Sequence, residues 1–257
     1  MQEQTTFNMA SDINFKKIIG SLFVLQSLFF TSCEKICDCT KSTGSIESEY
    51  RSISSFNKIE LHNNIDLVFH VDSVFKLKVT AGKNLLSEIA TETNNGSLVL
   101  KNNNHCNWVR DFNPTIVVEV WAPSFSNLIA EDASGDVYFE DSLDCHPFTF
   151  DGYNCSGIYH LKLKGNEAHV NISGPGDIIA SGDITNFYLF SVGYGKIDCV
   201  NLQTKYVFAT NKGTNNSYVN ATDLLDVSIY GDGNIYYKGT PASINKHEYG
   251  KGKLISL

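Results

Sequence analysis

Proline is scarce in this 257-residue chain, with five in all, so few of its strands need be broken by an imino acid. It also lacks an apolar run long enough to cross a bilayer. The longest, Ile18–Phe30, is interrupted by Gly20, Ser21, Gln26 and Ser27 and falls short of the roughly 20 residues a spanning helix needs. Basic residues are outnumbered, 20 Lys and Arg against 28 Asp and Glu, for a net charge of −8. No Lys/Arg cluster follows the apolar run, which argues against nucleic acid or an anionic membrane surface as a partner. Long amphipathic helical stretches are missing, and so are the short motifs of catalysis and cofactor binding: no H-E-x-x-H, G-x-S-x-G, G-x-x-x-x-G-K-[ST] or calcium-binding nonapeptide occurs. The seven histidines are scattered singly. Gly193-Tyr194-Gly195-Lys196 looks like part of a phosphate loop, but no Ser/Thr or helix follows. These absences predict a non-enzymatic protein with no cofactor and no metal.

What is present begins with an address. Lys16 and Lys17 precede the apolar run, in the order of a secretory signal. The run stops at Phe30-Thr31-Ser32-Cys33, and a small-residue pair before a cysteine resembles the bacterial lipobox. That resemblance implies a signal peptide over 1–32, cleavage before Cys33, and lipidation of Cys33, so that the protein meets a membrane through a lipid anchor. Met9 is an alternative start. The mature chain then holds 225 residues. Residues 34–50 are polar and Ser-rich, and 33–54 reads as a lipidated tether. Six further cysteines remain: Cys37, Cys39, Cys106, Cys145, Cys155 and Cys199. An even number outside the cytoplasm permits disulfides, with connectivity open. Cys155 and Cys199 read as buried free thiols, and Cys37-Asp38-Cys39 lacks the spacing of a zinc site.

From Phe56 the pattern alternates. Ile65, Leu67, Phe69 and Val71 face one way and Asp66 and His70 the other, while Phe75, Leu77 and Val79 alternate with Lys76, Lys78 and Thr80. Asn84–Ile89 predicts a single helical turn, Asn94-Asn95-Gly96 a hairpin turn into Leu98–Leu100, and Ile116–Trp121 a strand closed by Pro123. Then a glycine returns at 135, 157, 176, 195, 213, 233 and 252, in steps of 22, 19, 19, 18, 20 and 19 residues. A fixed period near twenty is the mark of a solenoid whose coils share one core. The turn glycines are expected to adopt positive φ. A half-repeat at Lys164-Gly165 and Ser181-Gly182 predicts two or three short strands per coil. Ile172, Ile178, Leu189, Ile197, Val207, Val219, Val227, Ile229 and Ile235 are the expected inward positions.

Several segments together resemble the autotransporter-adhesin head GIN domain of Bacteroidetes-type lipoproteins. They are Phe56-Asn57-Lys58-Ile59, Ile65-Asp66-Leu67, Val79-Thr80-Ala81, Asn84-Leu85-Leu86, Ile89–Thr93, Asn94–Leu98 and Gly231–Pro241. The resemblance runs from about Ser55 to Pro241 and implies an all-β, right-handed β-helix-like solenoid with coils of about nineteen residues over 55–257. It also implies a cell-surface or adhesion role and brings no catalytic residues. Lys212-Gly213-Thr214-Asn215 departs from the pattern, because the usual aliphatic after the turn is replaced.

The sequence thus predicts an outer-membrane lipoprotein at the cell surface or the periplasmic face. Its partner is a host or cell-surface glycan or protein, and side-by-side oligomers are possible. The alternative is a carbohydrate-binding or carbohydrate-processing β-helix. Processing needs paired carboxylates about 5–9 Å apart. Asp136, Asp177 and Asp183 each follow a turn glycine, yet other coils carry Ile158, Lys196, Asn234 and Lys253 there, so turn chemistry accounts for these aspartates. Tyr159, Tyr188, Tyr218, Tyr236 and Tyr237 are candidates for a sugar-stacking stripe, against the plain preference of aromatics for strands. Asp72-Ser73-Val74 and Asp141-Ser142-Leu143 match an O-glycosylation pattern at Ser73 and Ser142. Residues 245–257 read as a charged cap followed by a closing strand.

Overall fold

In a computed structural model of the protein, the described residues are 42–105 and 115–257. Cys33, Cys37, Cys39 and Cys106 lie outside them, and with them the expected lipidation and part of the cysteine count. Residues 43–104 and 115–257 belong to one compact unit. Its irregular first part holds β1 (Ile46–Arg51), β2 (Lys58–Asn63), β3 (Asp66–Val71), β4 (Lys76–Gly82), β5 (Ile89–Asn94), β6 (Ser97–Asn102) and β7 (Val117–Ala122). Short strands follow: β8 (Asn127–Ala133), β9 (Val137–Phe139), β10 (Leu143–Cys145) and β11 (Phe148–Tyr153). Four long strands then each span most of a coil: β12 (Ile158–Gly174), β13 (Asp177–Gly193), β14 (Ile197–Asn211) and β15 (Ser217–Ile229). The chain closes with β16 (Ile235–Lys238), β17 (Ser243–Glu248) and β18 (Leu254–Ser256).

All eighteen strands join one sheet, wound as a solenoid of about six turns with coils of about twenty residues. Between β12 and β13 the register is parallel throughout, each residue lying on the one nineteen positions later, from Ile158↔Asp177 to Gly174↔Gly193. Backbone donors on one coil therefore find their acceptors on the coils to either side, Gly176 N–H on Cys155 of the preceding coil and Ile178 N–H on Lys196 of the following one. The alternating side chains divide into an inward set and an outward set. All nine expected inward residues are buried, Ile178, Val207, Val219, Val227, Ile229 and Ile235 completely. The helical turn is a short 3-10 helix at Leu86–Glu88. The hairpin turn is also present, with Asn95 at φ 51° and Gly96 at φ 76° between the antiparallel β5 and β6.

The two ends are finished differently. At the first end β4 runs antiparallel to both β1 and β7. So β1 lies within the 33–54 stretch expected to be a tether, and ordered sheet begins at Ile46. At the last end the core columns run out into charge: Val227 is followed in register by Lys246, and Ile229 by Glu248. Glu248 gathers Lys253 Nζ at 3.1 Å, Lys246 Nζ at 3.6 Å and the backbone N–H of Leu254 at 3.0 Å. Charges at core-column positions are a natural device against end-to-end strand pairing.

The expected positive φ at the turn glycines is not what the structure has. Positive-φ glycines are 44, 96, 165, 174, 182, 193 and 239, none of them in the repeating set. The repeating glycines are needed because the coils touch backbone to backbone. A Cβ on Gly195 would press into the Gly176 carbonyl, 2.7 Å from its carbon, and one on Gly157 would stand 2.8 Å from the carbonyl carbon of Gly135. Positive φ belongs to the half-repeat instead, where Gly165 and Gly182 take 131° and 123°.

Asn215, not Gly213, holds the repeating position in the departing coil, since Ile197 pairs with Ser217 and Ser217 with Ile235. Gly213 belongs to a second glycine column, and its Cβ would press on Gly193. The buried Asn211 side chain stabilises this irregular turn. It accepts the N–H of Gly213 at 2.8 Å and the Ser191 hydroxyl at 3.3 Å, and donates to the carbonyls of Asn215 at 3.1 Å and Gly233 at 3.2 Å. One amide thereby satisfies three backbone groups and a hydroxyl at once.

Candidate binding face

The second halves of the long strands carry Ala168, Val170 and Ile172 inward, so His169 and Asn171 point outward, and the same alternation holds in each later coil. Parallel register turns each outward position into a column. One column reads His169, Tyr188, Phe208, Asp226, Asn245. Its neighbour reads Asn171, Phe190, Thr210, Ser228, His247. With coils about 4.8 Å apart, flat rings in one column must stack. His169 and Tyr188 lie 4.5 Å apart at 7°, and Tyr188 and Phe208 lie 5.0 Å apart at 11°. Each contact contributes about 0.5–1.5 kcal/mol beyond the area it buries. Beside them, Tyr230 stacks on Tyr249 at 4.6 Å, and the Lys212 ammonium sits 5.2 Å over Tyr230 and 5.3 Å over Phe190. Phe190, Tyr206, Tyr230 and Tyr249 are all exposed.

The ladder ends at Phe208, because the next coil offers Asp226 in place of a ring. A depression of about 230 Å³ lies between the two columns, lined by Tyr188, Phe208 and Asp226 of the first, by Asn171, Phe190, Thr210 and Ser228 of the second, and by Leu189 and Ala209. Asp226 Oδ2 accepts from Asn245 at 3.1 Å, and Asn171 donates to Asp151 at 2.9 Å.

The five tyrosines considered as one stripe fall in three places. Tyr188 is in the ladder. Tyr218 and Tyr236 stack at 5.0 Å on a different face, with Lys196 over Tyr218. Tyr159 is wholly buried against Phe150, and Tyr237 packs on the core. The residues that complete the face, His169, Phe208, Phe190 and Asp226, were missed by counting tyrosines alone. Their signal was the coil offset, since His169, Tyr188 and Phe208 follow one another at 19 and 20 positions.

The turn carboxylates are bound up with the backbone. Asp66 Oδ1 accepts the N–H of Asp136, Asp136 Oδ1 that of Ile158, and Asp177 Oδ1 that of Lys196, at 2.9, 2.8 and 2.6 Å. Asn216 and Asn234 continue the scheme, accepting from Asn234 and Lys253. Each side chain holds the coil after its own. Burial pushes the Asp66 carboxyl above its ordinary pKa, against the N–H of Asp136, which pulls it down. Asp183 stands apart in the register, between Lys164 and Gln203. Among the described residues no group of His, Cys, Asp and Glu is placed to hold a metal ion.

Cys145, Cys155 and Cys199 are free and buried. Burial pushes all three thiols up, Cys145 to about 12. Ser73 and Ser142 are exposed. Among the described residues no helix is long and apolar enough to cross a membrane.

The class of protein these observations define is a parallel β-solenoid with an aromatic outer face, whose turn carboxylates hold its coils together. The chain belongs to the family described as "Putative auto-transporter adhesin, head GIN domain", whose model matches residues 55–241. The fold recurs in a "putative adhesin" from Bacteroides fragilis NCTC 9343, 22% identical, with a TM-score of 0.75 over 83% of this chain and 97% of that one. A "putative lipid binding protein" from Parabacteroides distasonis ATCC 8503 is 23% identical, with a TM-score of 0.63 over 84% and 98%. A "putative adhesin" from Parabacteroides merdae ATCC 43184 is 20% identical, with a TM-score of 0.59 over 85% and 98%. No protein of curated function matches the chain.

Proposed function

We propose that this protein is a non-enzymatic adhesion module of the cell envelope, tethered by a lipid on Cys33 and binding through the outward aromatic face of its solenoid. The observation that carries the reading is that face. Exposed Phe190, Tyr230 and Tyr249 are linked through Lys212 and by stacking, the two tyrosines just past the ends of β15 and β17, and exposed Tyr206 lies two residues before Phe208 on β14; single exposed apolar residues would mean little, but a group of them marks a contact surface. The family's description as an adhesin head and the recurrence of the fold in a "putative adhesin" from Bacteroides fragilis NCTC 9343 point the same way. A lipobox-like Thr31-Ser32-Cys33 supplies the anchor. Its partner is a glycan or protein outside the cell.

The test uses intact cells producing the full chain. The reading expects externally added protease to remove the protein, deletion of the protein to lower adherence to a glycan-coated surface, and Cys33→Ser to move it from the membrane to the soluble fraction. Protein protected from protease until the outer membrane is opened, or a Cys33→Ser chain that still fractionates with the membrane and takes up labelled palmitate, overturns the surface-anchored reading.

A further inference from the structure

We infer that the depression between the two outward columns is, at its Phe208–Asp226 end, a subsite for one neutral pyranose, stacked on the bare face of Phe208 and held through its hydroxyls by Asp226. The inference rests on the binding-face reading and gives it a ligand class.

Four observations converge. First, ring faces inside the ladder are covered: Tyr188 has His169 on one side and Phe208 on the other, 4.5 and 5.0 Å away. Phe190 already carries the Lys212 ammonium. The face of Phe208 turned toward the next coil has only Asp226 in register with it. An aromatic face is the negative part of the ring's quadrupole. It attracts the weakly positive axial C–H bonds on one side of a pyranose, which is flat and apolar there and polar at its rim.

Second, the rim finds partners. Asp226 lines the depression and accepts from Asn245 through Oδ2, which leaves Oδ1 without a side-chain partner. An ionised carboxylate accepts through both oxygens and suits a vicinal diol. The Thr210 and Ser228 hydroxyls stand on the neighbouring column, line the same depression, and are held by no other side chain. Third, a hollow of about 230 Å³ admits one sugar ring and leaves its neighbours in a chain outside. Fourth, the lining includes one carboxylate and no Lys, Arg or His. A sialic or uronic acid would place its own carboxylate beside Asp226, while the Lys212 ammonium at the Phe190 wall is already engaged over the rings of Phe190 and Tyr230. The subsite therefore selects neutral hexoses and N-acetylhexosamines over acidic sugars. A few placed polar groups around an apolar platform is the usual composition of a small-ligand site.

The test is saturation-transfer difference NMR on the full chain in detergent. The probes are methyl β-galactoside, methyl α-mannoside, N-acetylglucosamine, N-acetylneuraminic acid and glucuronic acid. At least one neutral sugar should receive saturation on the C–H protons of one ring face at millimolar concentration, with the acidic sugars at least tenfold weaker. Phe208→Ala should weaken binding at least tenfold. Asp226→Tyr should extend the ladder by one ring, cover Phe208, keep the wild-type melting temperature and abolish the signal. Tyr236→Ala, on the other face, should change nothing. The inference is overturned by a failure of every neutral sugar to bind, by acidic sugars binding better, or by an Asp226→Tyr chain that melts like wild type and still binds. The broader reading is scored separately by adherence of cells carrying the protein. Adherence that depends on the protein while no sugar binds leaves an adhesin without this subsite. Sugar binding without any loss of adherence on deletion leaves the subsite in a protein that is not an adhesin.

Discussion

Gly195→Ala isolates why the repeating glycines are glycine. The added Cβ would press into the carbonyl oxygen of Gly176, 2.7 Å from the carbonyl carbon and 3.1 Å from the oxygen of Pro175. Carbon–carbon contact is comfortable near 3.5–4.0 Å, so the two coils must part locally by about 1 Å. Backbone on either side is held by neighbouring coils, which leaves little room to yield. Two hydrogen bonds bridge the same spot: Lys196 N–H to Asp177 Oδ1 at 2.6 Å, and Ile178 N–H to the Lys196 carbonyl at 2.9 Å. Opening by 1 Å removes most of both. At about 1 kcal/mol for a neutral bond and about 1.5–3 for one to a charged acceptor, the cost is roughly 2–4 kcal/mol. For a domain of this size that lowers the melting temperature by roughly 4–16 °C. Circular dichroism melts of the full chain measure it. Gly195→Asn decides the cause. Asn tolerates the left-handed region better than Ala, so a positive-φ requirement would make it the milder change, whereas close approach makes both equally harmful. Gly96→Ala serves as the contrast: φ is 76° and the new Cβ meets only the Asn57 side chain at 3.3 Å, so about 1–2 kcal/mol is expected. A Gly195→Ala chain melting within 2 °C of wild type, or an Asn variant clearly milder than Ala, refutes the stacking argument.

Asn211→Ala should cost about 2–4 kcal/mol, because it strands the N–H of Gly213 and two carbonyls in a buried turn; a loss under 0.5 kcal/mol in urea titration would show that water replaces the amide. The three thiols set an alkaline limit. Their pKa values are raised in the fold, so above about pH 9 the unfolded chain sheds protons that the folded chain keeps, and stability falls as pH rises. The slope should approach about 1.4 kcal/mol per thiol per pH unit. Melting curves at pH 8, 9 and 10 should diverge from those of the Cys145→Ala/Cys155→Ala/Cys199→Ala chain, and equal slopes would remove the thiols from the account. Truncation after Pro241 deletes β17, β18 and the Lys246–Glu248–Lys253 ion pairs, exposing β15 and the buried Val227 and Ile229. Light scattering should show aggregates or higher oligomers, and a truncated chain as monodisperse and stable as the full one would deny residues 245–257 a capping role.

Much of the solenoid was legible because burial and register obey one rule in every coil. Ile178, Ile197 and Ile235 recur at the same phase, and each is buried. The short 3-10 helix and the Asn95-Gly96 turn were readable from local chemistry. β1 was not, because Ile46, Tyr50 and their neighbours are exposed or half-buried along its whole length; a strand that covers no core has no apolar alternation to betray it. Glycine identity could not separate two demands that glycine alone meets, a positive φ and the close approach of another backbone. The departure at Lys212–Asn215 was visible, but its repair was not: Asn211 looks like any polar strand residue until its amide is seen joining three turns. The aromatic face was half legible. Tyr188 was found by type, whereas Phe208 and Asp226 acquire meaning only when rows nineteen or twenty residues apart are laid side by side.

The seating of each turn on the carbonyl of the turn before it has a consequence for how such chains can change length. Inserting one or two residues within β13 would slide Gly195 off Gly176 and bring a side chain into the backbone contact. A whole coil inserted between Gly176 and Gly195, carrying its own pair of glycines, would meet an unchanged surface above and below. Length in this architecture is therefore quantised. It grows or shrinks in units of about twenty residues, and each added unit widens the outer face by one rung while leaving both ends of the stack as they were.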